Sequence, residues 1–212
     1  MRSAFDKLIS WTGLALAVVL LAAGGLLTWA NVFIGDQVEA QFTQQDIVMP
    51  EGDALASLPK ADADALKPYA GSPLDTGPEA QAFADHYILA HMNASGAALN
   101  DGESVTYEEA SAKGRELSAA VAENPDATQA QIDEAAAWMN LRESLFMGNT
   151  LRGLLLYGYA FATVGTIAGI AAIAAFAGAA VLLVLFALGM VHARRARQTD
   201  AGEAPRAVPQ TV

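Results

Sequence analysis

Two long apolar blocks lie near the ends of the chain, and a charged region separates them. The first block, residues 8–35, contains no ionisable side chain, and the second, residues 153–193, contains no Asp, Glu, Lys or Arg. About 20 apolar residues are enough for a helix to cross a bilayer. The pattern therefore predicts a membrane protein.

The first block predicts a transmembrane helix that is retained in the mature protein. A cleaved signal peptide is the alternative, with Arg2 and Lys7 as its basic start and a cut after Ala30 or Ala40. The apolar core of a signal peptide is usually about 7–15 residues long. This block is much longer, which favours the retained helix.

The second block allows two interpretations, because a single helix over its 41 residues would be about 60 Å long. That length is about twice the hydrocarbon thickness of a bilayer. The block is either two spans joined by a tight hairpin or one span with an apolar extension.

Charge favours the single span. The basic residues that flank the two blocks are Arg2, Lys7, Arg194, Arg195 and Arg197. Between the blocks, residues 36–150 hold 20 Asp or Glu and only 5 Lys or Arg. The positive-inside rule then places both ends in the cytoplasm and the middle outside, which requires an even number of spans.

The predicted fold class is an all-α membrane protein in the cell membrane, with two transmembrane helices around a small, mostly helical extracytoplasmic domain. Its segments are a cytoplasmic N-terminus (1–7), transmembrane helix 1 (8–35), an acidic extracytoplasmic domain (36–150), an interfacial helix extension (151–165), transmembrane helix 2 (166–192) and a basic, then disordered, cytoplasmic tail (193–212). Aromatic and basic side chains suit the membrane interfaces. The predicted anchors are Trp11, Trp29, Arg152, Tyr157, Tyr159, Arg194 and Arg195.

The acidic domain begins with an irregular part. Five prolines and three glycines between residues 36 and 78 leave no room for a long helix, although the first transmembrane helix can continue to about Gln44. One short extended piece is predicted at residues 46–49. Pro78 is then placed as the first residue of a helix, on which Phe83, Tyr87 and His91 recur at intervals of four.

Two further helices are predicted from their start signals. Thr106 with Glu109 forms a capping-box pattern before a helix that ends near Asn124, and Thr128 with Gln131 starts the next one. That last helix is expected to end at Gly148, with a new helix from Leu151. Its expected buried stripes are Ile132, Ala136 and Met139 on one side and Trp138, Leu141 and Leu145 on the neighbouring side.

Small residues recur along the second span at spacings that let two helices approach closely. The predicted helix-packing residues are Gly165, Gly169, Ala174 and Gly178. Gly24 and Gly25 leave a site without side chains on the first span, where another helix can approach closely. The partner of this stripe is either the first span or another protein.

No catalytic, cofactor or metal site is predicted. The spans lack the ionisable residues that ion pathways and proton relays need, and a net charge of −11 argues against nucleic acid. The chain has no cysteine, which excludes disulfides and thiolate ligands. His86 and His91 lie five apart on a predicted helix, and a metal pair would need a spacing of three or four to share a face.

The arrangement resembles small two-span membrane proteins of actinobacteria. The segments that carry the resemblance are Gln45–Val48, Gly77–Ala82, His91, Thr106–Glu109, Leu141–Phe146 and Leu151–Leu155. Members of that group often bear the label "aromatic ring-opening dioxygenase", and some similar proteins are accessory members of the cytochrome bc–cytochrome oxidase supercomplex. The resemblance implies a role of that accessory kind.

Three functional hypotheses follow. The first is a non-catalytic accessory or assembly subunit of a larger membrane complex, with the lipid bilayer and cytochrome bc and oxidase subunits as partners. The second is an extracytoplasmic sensing or ligand-binding module, which needs a concave pocket in the outer domain. The third, a metal-dependent dioxygenase, needs two His and one carboxylate around an open iron site.

Overall fold

The computed structural model describes the backbone of residues 2–202 and the side chains of residues 7–195. These residues form an all-helical structure without β-strands. The helices are α1 (Arg2–Thr43), α2 (Asp53–Ala56), α3 (Lys60–Leu66), α4 (Gly77–Ala82), α5 (Leu89–Leu99), α6 (Tyr107–Glu123) and α7 (Gln129–Gly202). A 3-10 turn, Lys67–Tyr69, follows α3, and a π-helical turn, Phe83–Ile88, joins α4 to α5.

The chain divides into two compact units. The first, here called the helix pair, consists of α1 through Phe33 and α7 from Gly165 onward, and the second, the central domain, consists of residues 34–164. Both α1 and α7 are long and apolar enough to span a membrane. The prediction of two such helices is confirmed.

The helix pair is antiparallel. Asn31 lies beside Gly165, Leu20 beside Gly178, and Ser10 beside Gly189. Small buried residues recur at intervals of seven or fourteen positions on each helix, as in packed helices that keep one seam together. They include Ser10, Ala17 and Gly24 on α1, and Ala172, Ala179 and Ala193 on α7. Most other faces of both helices are exposed and apolar.

The central domain has two apolar clusters. The first gathers Phe42 from α1, Met49, Leu66 and Leu74 from the irregular part, and Leu155 from α7. The second packs α6 and its preceding loop against the start of α7, and its buried members are Val105, Ala110, Trp138, Leu141 and Leu145. The domain is thus built on the same long helix that continues into the pair.

The local start and stop signals in the central domain are confirmed. Both capping boxes form, with the hydroxyls of Thr106 and Thr128 accepting from the backbone N–H of Glu109 and Gln131. Helix α6 ends at Glu123, as expected before Pro125. The predicted extended piece contains Val48, which forms an isolated antiparallel bridge with Pro73. Helix α4 starts one residue earlier than expected, because Thr76 caps it in a third capping box with Glu79.

The expected break in α7 is wrong. Helix α7 runs without interruption through Gly148 and Leu151, so no separate helix starts there and no hairpin divides the second apolar block. Gly148 is buried, and a Cβ at this position would meet the side chain of Met92. The glycine permits close packing inside a helix, and it does not mark a helix end.

Two smaller predictions also differ from the structure. Of the first predicted stripe, Ile132 and Ala136 are exposed and only Met139 is half-buried, against Gly114 of α6, whereas Trp138, Leu141 and Leu145 of the second are buried. The tail predicted as basic and then disordered (193–212) is helical as far as Gly202, where α7 ends. Residues 203–212 lie outside the described residues, as do the side chains of Arg2 and Arg197.

Candidate interaction surface

The predicted small-residue stripe faces the first helix of the same chain. A Cβ on Gly169 would lie 3.1 Å from the Asn31 side chain, and one on Gly178 would lie 3.2 Å from Leu20. Gly165 is also buried. Ala174 is exposed, and the buried positions of this face are instead Ala172, Ala175 and Ala179. Of the two partners left open by the sequence, the structure places the first span against the stripe.

Asn31 is a contact that the sequence analysis missed. Its side-chain Nδ2 donates to the carbonyl oxygen of Gly165 at 2.8 Å. In an apolar helix pair such an interhelical hydrogen bond adds to the close packing of small residues. The available signal was a lone amide side chain inside an otherwise apolar block.

The predicted membrane-interface anchors fall into two groups. Trp11, Trp29 and Tyr157 are exposed, with Trp11 packed edge-on against Phe186 and Trp29 stacked on Phe33. Arg194 and Arg195 are exposed near the end of α7. Tyr159 is half-buried beside Gly77. These positions leave their role at the interface a prediction.

Arg152 is bound within the central domain. Its Nε donates to the carbonyl oxygen of Ala84 at 3.0 Å, and a terminal guanidinium nitrogen donates to Asp85 at 2.9 Å. Both acceptors belong to the π-helical turn, a rare feature that is often found at functional sites. The charged hydrogen bond fixes α7 to this turn, and the predicted role of Arg152 as a membrane-interface anchor stays a prediction.

Glu79 forms the centre of a second polar cluster. Its carboxylate accepts from the Ser72 hydroxyl at 2.9 Å, from the Thr76 hydroxyl at 2.7 Å, and from the backbone N–H groups of Asp75 and Thr76 at 3.1 and 3.0 Å. Burial by itself would raise the pKa of Glu79, but these hydrogen bonds together lower the pKa below its usual value. Burial and the neighbouring Glu79 charge raise the pKa of Asp75.

The two outer histidines do not form an iron site. His86 Nδ1 lies 2.9 Å from Asp62, and His91 Nδ1 lies 2.8 Å from the carbonyl oxygen of Tyr87. Each ring is therefore engaged in its own local contact. Within the described residues, no three His, Asp or Glu side chains converge as a metal would require. The donor set does not fit a two-His, one-carboxylate iron centre.

An exposed apolar surface runs along α7 within the central domain. Six large side chains recur there every three or four residues, and each is more than half exposed. We call this surface the α7 ridge, and it consists of Met147, Leu151, Leu154, Tyr157, Phe161 and Val164. Spacing of this kind places the side chains along one side of a helix.

A groove of about 280 Å³ lies beside the ridge. It is lined by Leu151 and Leu154 of the ridge, by apolar side chains of the first cluster, and by two amides at the end of α1. The lining residues outside the ridge are Gln41, Phe42, Gln45, Ile47, Phe83, Ile88 and Leu155. Ridge and groove together form an apolar surface on an otherwise acidic domain.

Comparison of the chain with protein-family models, with curated proteins and with solved structures finds no match. The structure alone therefore defines the class of protein. Over the described residues, it is an all-helical protein with two long apolar helices that could span a membrane.

Proposed function

We propose that this chain is a non-catalytic accessory or assembly subunit of a larger membrane complex. The observation that carries the proposal is the α7 ridge. Proteins rarely leave a contiguous row of large apolar side chains in water unless another protein or a membrane covers it. Here the row belongs to a domain whose surface is otherwise acidic.

The antiparallel helix pair supports the proposed topology. In such a pair the start of α1 and the end of α7 lie at the same end, as the contact between Ser10 and Gly189 illustrates. Both termini on the cytoplasmic side and the central domain outside agree with the distribution of basic residues. In this arrangement the central domain reaches the extracytoplasmic part of a partner.

The proposed complex is the respiratory supercomplex of cytochrome bc and cytochrome oxidase. Support for this choice comes from the resemblance to actinobacterial two-span proteins described above. The accessory role does not depend on it, because any membrane complex with a complementary apolar surface would suit the ridge.

One observation favours the sensing alternative. An open groove of about 460 Å³ on the central domain is lined by polar and apolar residues from several elements. Its polar side chains are those of Ser57, Asp62, His91, Asn93 and Ser104. A small polar ligand bound there would make the domain a receptor module.

Co-purification tests the accessory role. The chain, tagged at Val212 and extracted in mild detergent, is expected to bring partner subunits in stoichiometric amounts, identified by mass spectrometry and by haem absorbance. Leu154→Glu with Phe161→Glu should remove the partner. Ala119→Glu, at an exposed position of α6, is the control and should retain it. A colourless protein without partners would contradict the proposal.

A further inference from the structure

The apolar part of α7 is longer than membrane crossing requires. The helix pair uses α7 only from Gly165 onward, and the apolar block continues from there to Ala193. At 1.5 Å per residue that part alone is about 44 Å long, which exceeds the hydrocarbon thickness of about 30 Å. The apolar residues before Gly165 therefore need another explanation.

Along the helix axes, the α7 ridge lies at the same height as two carboxylates of the neighbouring helix α1. The Phe42 ring packs against Gly158, which lies midway between Leu154 and Phe161 of the ridge. On α1, Glu39 and Asp36 precede Phe42 by only about 5 and 9 Å along the helix axis. Hydrocarbon thick enough to cover the ridge would also surround these two carboxylates, which is costly. Lipid is therefore a poor cover for the ridge.

We propose that the α7 ridge binds an apolar helix of a partner membrane protein that extends beyond the bilayer and carries Lys or Arg near its outer end. This inference rests on the proposed function and names the surface and the chemistry of the partner. The ridge is about 26 Å long, so the partner helix must display apolar side chains over a similar length outside the hydrocarbon.

The basic character of the partner follows from charge. Residues 34–164 hold 20 Asp or Glu against 6 Lys or Arg. Glu143 is exposed and lies four residues before Met147, at the outer end of the ridge. It forms no ion pair within the described residues, whereas Arg152 is bound to Asp85. A second copy of the chain would bring another acidic surface and would be repelled.

The groove beside the ridge suits one bulky side chain of the partner helix. Its volume of about 280 Å³ falls just below the range of about 300–1,000 Å³ that is usual for small-molecule sites. Its lining is apolar apart from Gln41 and Gln45. Such a lining matches an aromatic or aliphatic anchor, which is the kind of residue that dominates protein interfaces.

Cysteine labelling tests whether protein covers the ridge. The chain contains no cysteine, so Leu154→Cys and Phe161→Cys introduce single thiols. In lipid nanodiscs that hold this protein alone, a charged maleimide should label both as fast as Ala119→Cys and should not label Val18→Cys, an exposed position of the helix pair. In native membranes the two ridge thiols should become protected, while the Ala119→Cys thiol stays reactive.

Two labelling results would overturn the inference. Ridge thiols that stay unreactive in nanodiscs would show that lipid covers the ridge. Ridge thiols that react equally in native membranes would show that no partner covers it. In either case the wild-type chain can still co-purify with partner subunits. The two experiments therefore distinguish a wrong assignment of the binding surface from a wrong assignment of the accessory role.

Photo-crosslinking tests the chemistry of the partner. A benzophenone side chain at Leu154 should crosslink to a helix of another protein with Lys or Arg near its outer end. Glu143→Lys should reduce the yield at least about tenfold, since like charges would then meet. Glu134→Lys changes the charge equally at an exposed position on the opposite side of α7 and should leave the yield unchanged. A crosslink to a second copy of the chain, or equal yields in both variants, would overturn the proposal.

Discussion

The helix pair and the central domain are held together in different ways. The pair relies on small residues at intervals of seven or fourteen positions, with Asn31 and Gly165 providing an interhelical hydrogen bond. The central domain combines two apolar clusters with charged contacts, among them Arg152 with Asp85 and the polar cluster around Glu79.

The difference follows from the surroundings that each unit suits. In a bilayer, apolar side chains gain little from facing another helix in place of lipid, so close backbone approach through small residues is what stabilises a pair. In water, burial of apolar surface provides the main stabilisation, and half-buried polar groups must be paired. The helix pair should therefore be sensitive to added volume, and the central domain to lost polar contacts.

The largest expected effect comes from added volume in the helix pair. A Cβ on Gly24 would lie 2.9 Å from the Phe176 ring, whereas one on Gly25 would meet nothing within 4 Å. Gly24→Leu should separate the helices, because overpacking a tight contact costs about 1–3 kcal/mol or more. Gly25→Leu adds the same side chain at the neighbouring position, where there is space for it, and should leave the helices together.

A disulfide provides the measurement for that comparison. A Cβ on Gly189 would lie 3.5 Å from the Cβ of Ser10, which is within the usual range for a disulfide. Ser10→Cys with Gly189→Cys should crosslink on oxidation, and Ser10→Cys with the outward-facing Leu188→Cys should not. The Gly24→Leu background should abolish the crosslink and the Gly25→Leu background should keep it. Crosslinking that survives in both would contradict the described packing.

The sequence predicts those features that local rules control. The capping boxes at Thr106 and Thr128, the stop after Glu123 and the two long apolar helices all depend on neighbouring residues or on composition, and the structure contains each of them. The glycine stripe was also found, because its spacing is periodic. Its partner was left open, since periodicity does not identify the opposing surface.

The features that the sequence did not predict depend on contacts between distant residues. Arg152 contacts Asp85 of the π-helical turn, 67 residues earlier in the chain. No local sequence pattern predicts the turn or this contact. The prediction of a helix end at Gly148 was wrong because glycine occurs both inside closely packed helices and just after helix ends. The sequence alone does not distinguish these two settings. The ridge was overlooked because most of its side chains, from Leu154 onward, belong to the second apolar block, which was assigned to the membrane and its interface.

An intermediate effect is expected for the half-buried ion pair of the central domain. Arg152→Met leaves Asp85 and the Ala84 carbonyl without their donor, and charged hydrogen bonds contribute about 1.5–3 kcal/mol. The free energy of unfolding of the central domain should fall by about 2 kcal/mol. Lys60→Met removes an exposed ion pair with Asp64 and should leave the free energy of unfolding almost unchanged, because water screens exposed pairs.

Tryptophan fluorescence can measure this change in urea. Trp138 is buried in the second cluster, whereas Trp11 and Trp29 are exposed in the helix pair. In a Trp11→Phe, Trp29→Phe background the signal therefore reports on the central domain alone. Equal midpoints for the two variants would show that the Arg152 contact does not contribute to stability.

The smallest expected effect is a change in the pH dependence of unfolding at Glu79. Hydrogen bonds from Thr76, Asp75 and Ser72 hold the pKa of Glu79 below its ordinary value of 4.5 in the folded domain. A lowered pKa means that the unfolded chain binds a proton more readily, so this group stabilises the fold above about pH 4.5. That contribution is lost as the pH falls through the folded pKa. Glu79→Gln should therefore lower stability at pH 7 and flatten the loss of stability below about pH 4.5.

Two variants sharpen this test. Glu109 occupies the equivalent capping position in α6, and hydrogen bonds from Thr106 lower its pKa as well, but it is exposed. Glu109→Gln should therefore flatten the pH profile less than Glu79→Gln. Asp75→Asn should act in the opposite direction at neutral pH, because burial and the Glu79 charge raise the pKa of Asp75 and its ionised form opposes folding. The measurement is the urea midpoint of each variant between pH 3 and 7. Equal changes for Glu79→Gln and Glu109→Gln would show that burial at Glu79 makes no difference to stability. Exposed and buried polar contacts of the central domain would then contribute equally, contrary to the expectation.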